Sequence, residues 1–147
     1  MILVSGCLVG IRCRYDGRHS LSFDLVQRLS REPWVAVCPE QLGGLSTPRP
    51  PARLVGGDGS DVLAGRARVI TLKGDDVTSA YVKGAEVTLD AAMRLKVTQC
   101  ILKDRSPSCG FHPSVDEKGA ARGQGVCAAL LTQAGFDVIE VKAGASS

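Results

Sequence analysis

Short apolar runs alternate with amphipathic stretches along this chain, and that alternation narrows the fold more than any other feature. A strand buried on both faces reads as an unbroken apolar run, whereas a helix lying on a sheet repeats its apolar residues every three or four positions. Residues 1–5 (MILVS), 34–37 (WVAV), 99–103 (QCILK) and 138–141 (VIEV) are of the first kind. Residues 20–31 are of the second, with Leu21, Leu25, Val26 and Leu29 at helical spacing and Pro33 just beyond. Asp75 and Asp76 offer a cap to a longer helix whose Val77, Tyr81, Ala85, Leu89 and Ala92 share one face despite Gly84. Residues 126–134 read as a short helix stopped by Gly135. The Gly/Pro-rich passage 43–59 and the polar stretch 104–124 read as loops, and 67–72 as a strand or an extended edge segment. With no repeat and no shift in composition, residues 1–147 are expected to form one α/β domain. Its expected architecture is Rossmann-like and three-layered, a short mostly parallel sheet with helices on both faces.

The composition closes off several functions. Net charge is +3, from 18 basic and 15 acidic residues spread along the chain, and the six aromatic residues are scattered. Neither pattern makes the basic stripe or stacking platform of a nucleic-acid binder, so no nucleic-acid partner is expected. No apolar stretch approaches the roughly 20 residues that cross a bilayer, so no membrane partner is expected either. The N-terminus MILVSGCLVGIRCR lacks a charged region followed by a long apolar run, which points to the cytoplasm. In a reducing compartment the six cysteines, Cys7, Cys13, Cys38, Cys100, Cys109 and Cys127, are ligands, nucleophiles or buried apolar side chains rather than staples.

Three of them share a position. Cys7, Cys38 and Cys109 each follow an expected strand, and in an open parallel sheet the loops at the carboxyl ends of the strands line one crevice. Cys7 and Cys109 adjoin glycine, and Cys38 precedes proline, as iron-sulfur ligands often do. Cys100 falls inside a strand and Cys127 inside a helix, which makes them core residues, while Cys13 stands near the crevice without a role. Zinc is less favoured: there is no C-x-x-C pair, and His19 and His112 are the only histidines. A non-catalytic module whose zinc or iron-sulfur centre is structural also stands at this point, as does a metal-independent reading with Cys7 as a redox or phosphatase-like nucleophile. Its difficulty is spacing, because a phosphatase loop separates Cys and Arg by five residues and here Arg12 and Arg14 follow after four and six. Glu40, two residues beyond Cys38, would bring a carboxylate suited to general acid or base work into the same crevice. Ser106 and Ser108, just before Cys109, would offer hydroxyls to a polar substrate atom.

Taken together, SGCLVGIRCRYDG, CPEQLGGLSTPRPP, GDDVTSAYVKGAE, ILKDRSPSCG and GQGVCAALL, in this order, closely resemble the DUF523 family, whose characterised members are similar to 2-thiouracil desulfidases. The resemblance runs over about residues 3–141. It implies an oxygen-sensitive [4Fe-4S] cluster on three cysteines with one iron left open, and motif by motif the ligands are Cys7, Cys38 and Cys109. It also implies catalytic roles for Glu40 and for a serine of SPSC, Ser106 in preference to Ser108, which is then a substrate-binding candidate. The implied reaction is non-redox: water replaces the sulfur of a small thiolated base and sulfide leaves. This chain departs from its relatives after SPSCG, where FHPSVDEKGAARGQG replaces a tyrosine-aspartate-glycine stretch, and at Cys127, where threonine is more common. Relatives that act on thiolated tRNA carry a further C-terminal domain, so the resemblance implies a free base or similar thioamide as the partner here.

Overall fold

The apolar runs do become a parallel sheet. A computed structural model of the chain describes residues 1–115 and 121–142, with 111–115 and 121–122 described by their backbone alone. Strands β1 (Ile2–Ser5), β2 (Trp34–Val37), β5 (Gln99–Lys103) and β8 (Asp137–Val141) form one four-stranded sheet in the order β2-β1-β5-β8. Every neighbouring pair in it is parallel, with Ile2 opposite Trp34 and Gln99, and Gln99 opposite Asp137. Because the strands are parallel, β1, β2 and β5 deliver their following loops to the same end of the sheet.

The alternation of side chains along the strands sorts the core into two layers. Ile2, Val4 and Ile101 face one side, where they pack with Leu8 and with Leu25 and Leu29 of helix α1 (Phe23–Leu29). Leu3, Cys100 and Leu102 face the other, against helices α4 (Thr78–Arg94) and α5 (Val126–Gln133). Helices thus cover both faces, as expected. Each such fully buried Leu or Ile contributes about 1.5–3 kcal/mol relative to an exposed one.

Several expectations are corrected. The passage 43–59 is not all loop: it holds strand β3 (Ala52–Val55) and the start of helix α3 (Gly59–Leu63). Strand β3 pairs antiparallel with β4 (Arg68–Thr71), which makes residues 67–72 a strand of a separate two-stranded sheet. Only Leu54 of β3 is buried, so four residues carry too little alternation to be told from loop. The stretch 104–124 likewise contains a hairpin of β6 (Phe111–Val115) and β7 (Ala121–Gln124), so the departure from the family pattern lies largely in paired backbone. Residues 116–120 of that departure lie outside the described residues. The N-cap of helix α4 is Val77, which gives no side-chain cap. Asp76 instead accepts the Thr78 N–H, and hydrogen bonds from Thr78 hold its carboxyl below the usual range.

Gly84 has a specific reason to be in α4. A short helix, α2 (Pro39–Leu42), lies so close that a Cβ on Gly84 would overlap the Pro39 carbonyl oxygen, and one on Gly43 would overlap that of Ala80. This approach brings Glu40 on α2 to Tyr81 on α4. At an open helix position Gly→Ala stabilises by about 0.5–1 kcal/mol. Here Gly84→Ala is expected to lower the thermal midpoint, and a midpoint equal to wild type or higher would show that the two helices can part without cost.

Candidate active site

The end of the sheet where β1, β2 and β5 terminate carries a cavity of about 190 Å³. Ser5 closes β1 and Cys7 follows in a single 3-10 turn, Gly6–Val9. Cys38 follows β2 directly and is the N-cap residue of α2, with Pro39 in the first turn, where its missing N–H is not needed. Cys109 lies in the loop between β5 and β6. All three line the cavity, together with Glu40 and Ser106. Five of the six residues singled out in the sequence are therefore brought together.

Ser108 is not. It is buried at 1% exposure and does not line the cavity. Its carbonyl accepts the N–H groups of Cys127 and Ala128 in the first turn of α5, and its hydroxyl has no hydrogen-bond partner among the described residues. Ser106, by contrast, accepts the N–H groups of Ser108 and Cys109 at 3.2 and 3.0 Å, which fixes its oxygen beside the Cys109 sulfur.

The cysteines divide as their positions suggest. Cys100 and Cys127 are fully buried in the core on the α4 and α5 side. Cys13 joins the site: it lines the cavity, its thiol neighbours those of Cys7 and Cys38, and its carbonyl accepts from the Cys38 thiol at 3.6 Å. All six thiols are free. Hydrogen bonding to Cys38 favours the Cys13 thiolate, but contact with Cys7 and burial outweigh it and push the thiol up to about 11. Burial pushes Cys109 up to about 12 against opposing hydrogen bonds from Ser5 and Ser106. The contact with Cys13 and burial push Cys38 higher still. A raised thiol is a poor nucleophile until a metal displaces its proton.

The donor set suits an iron-sulfur cluster. Four cysteine sulfurs share one concavity, and the hydroxyls of Ser5 and Ser106 lie near the Cys109 sulfur, where hydrogen bonding would tune such a cluster. Among the described residues no three His, Cys, Asp or Glu side chains close on a single point, and a cluster would spread its ligands over separate iron atoms. The phosphatase-like reading loses its anion cradle: the N–H groups of Gly10, Ile11 and Cys13 are spent on the carbonyls of Cys7, Gly6 and Ile11.

Two site residues were not singled out in the sequence. Arg49 and Tyr81 line the cavity; Arg49 binds the Glu40 carboxylate and Tyr81 lies beside it. The Arg49 Nε donates to Glu40 Oε2 at 2.8 Å, and Nη2 lies 2.7 Å from the same oxygen. Tyr81 sits at a core position of α4, and burial together with the neighbouring carboxylate raises its phenol well above the usual range, so it remains a donor. The cue for Arg49 is its setting, a lone arginine between Pro48 and Pro50. Ser5, hidden in the strand MILVS, also bonds the site, accepting the Lys103 N–H at 2.9 Å.

Comparison with known proteins decides the family: the profile of the 2-thiouracil desulfurase family matches residues 2–142. The chain belongs to that family. Among its relatives is YbbK of Bacillus subtilis (strain 168), described only as uncharacterized and 47% identical over 142 residues, 95% of this chain and 94% of YbbK. A solved structure described as the [4Fe-4S]-dependent thiouracil desulfidase TudS superposes with a TM-score of 0.78 at 35% identity, covering 95% of this chain and 89% of that one. The α/β reading and the resemblance drawn from the motifs both agree with these matches.

Proposed function

We propose that this desulfurase-family chain holds a [4Fe-4S] cluster on Cys7, Cys38 and Cys109 and replaces the sulfur of a small thiolated base such as 2-thiouracil by oxygen. The observation that carries the reading is convergence: three cysteines from three strand ends, a carboxylate and a hydroxyl line one cavity. The family and the solved relative support it. A cluster bound by three protein ligands supplies an open iron, a Lewis acid suited to a thiocarbonyl sulfur.

The remaining work falls to side chains. Glu40 takes a proton from a water molecule as that water adds to the ring carbon bearing sulfur. Ser106, whose oxygen already accepts two backbone N–H groups, turns its own proton toward the cavity and hydrogen-bonds the charge that develops on the substrate. The carbon-sulfur bond then breaks with the electron pair going to sulfur. The balance is thioamide plus water to amide plus hydrogen sulfide, with no change of oxidation state.

The source of oxygen tests this sequence of events. Anaerobic turnover of 2-thiouracil by cluster-loaded protein in isotopically labelled water is expected to place one labelled oxygen in each uracil formed and to release one sulfide. Unlabelled uracil would overturn attack by water.

A further inference from the structure

We propose that Arg49 is the positioning residue of this site: it fixes which oxygen of Glu40 is available to the reaction, and Arg49 itself binds no substrate. The proposal rests on the functional reading above for what Glu40 does, and on the geometry alone for how Glu40 is held.

Arg49 is buried, with a side chain 6% exposed, and a buried guanidinium is tolerated only when its donors are all satisfied. They are. Nε and one Nη2 hydrogen meet Glu40 Oε2, and the other Nη2 hydrogen meets the Cys13 carbonyl at 3.0 Å. Nη1 meets Thr47 Oγ1 at 2.9 Å and the Ser46 carbonyl at 3.2 Å. No N–H is left to bind an anion or a substrate carbonyl, although the side chain lines the cavity.

Both contacts to Glu40 converge on one oxygen. Oε2 is thereby occupied by two donors, and Oε1 is the oxygen left free of Arg49 to take a proton from water. The same guanidinium ties Glu40 to the Cys7–Cys13 segment through the Cys13 carbonyl, while the Arg49 backbone N–H donates to the Tyr15 carbonyl at 2.8 Å. Carboxylate and cysteine loops are therefore set in register by one side chain. A lysine carries charge but no planar fork, so it cannot hold two loops and one chosen oxygen at once.

The test is a double-mutant cycle in cluster-loaded protein. Arg49→Lys is expected to lower kcat about 10- to 100-fold, the cost of misplacing a catalytic group by about an ångström. KM, iron and sulfide per chain and the visible spectrum should stay at wild-type values. In a Glu40→Gln background the same change should add nothing further, because Arg49 acts through Glu40. A second loss of equal size in the double variant, or a wild-type kcat for Arg49→Lys, would overturn the proposal. A second readout needs neither cluster nor turnover. In cluster-free protein the Arg49 Nε–H should give an exchange-protected nitrogen-proton NMR signal that moves on Glu40→Gln, and an unmoved signal would refute the contact. A loaded wild type that never turns over contradicts the functional reading instead, and Arg49 then stands or falls on that NMR signal.

Discussion

Glu40→Gln is expected to give a coloured, cluster-loaded protein whose kcat is about 100- to 10,000-fold below wild type, the usual worth of a positioned general base. Glutamine has nearly the shape of glutamate and can still accept from Arg49, but it cannot take the proton of an attacking water. The ligands Cys7, Cys38 and Cys109 are untouched, so iron and sulfide content should not fall. The substitution has a second consequence. It leaves the buried Arg49 cation without its counter-charge, and breaking such a pair costs about 3–5 kcal/mol. A lower thermal midpoint should therefore accompany the kinetic loss, and rates are to be compared at a temperature where the variant is fully folded. A wild-type rate in a folded, loaded variant would remove Glu40 from the chemistry.

Cys109→Ser is expected to lower iron from about four atoms per chain toward none, because a cluster held by three thiolates does not survive the loss of one soft ligand. Cys38→Ser should behave alike. Cys13→Ser is the informative contrast. Cys13 lines the cavity but is not one of the three proposed ligands, so on this proposal the cluster does not need it. Iron content at the wild-type level is expected for Cys13→Ser, and its loss there together with retention in Cys38→Ser would exchange the two assignments. Iron and sulfide analysis after anaerobic reconstitution, with circular dichroism to confirm folding, checks all three variants.

Much of this site is legible in the sequence for a topological reason. Parallel strands bring every post-strand loop to one end, so Cys7, Cys38 and Cys109 could be placed together from strand positions alone. Glu40 and Ser106 followed by adjacency. The strands themselves were readable because MILVS and QCILK are buried on both faces, and α4 because its apolar stripe is long. What escaped is what tertiary contact decides. Strand β3 shows one buried residue in four, and β6 and β7 pair backbone whose sequence is polar. Arg49 sits in a Gly/Pro-rich segment whose composition says loop, and nothing local reports that its guanidinium reaches Glu40 nine residues back. Tyr81 looks like any apolar residue of a helix face until Gly43 and Gly84 let α2 approach. Ser108 shows the converse: beside Cys109 in sequence, it points away from the cavity because its peptide docks on the start of α5.

The decisive measurement adds 2-thiouracil, under strict anaerobiosis, to the reconstituted protein and to the same preparation without cluster, and quantifies uracil and sulfide together. The expected result is equimolar uracil and sulfide from the loaded protein alone. Desulfuration by the cluster-free protein, or none by a fully loaded one, would contradict it.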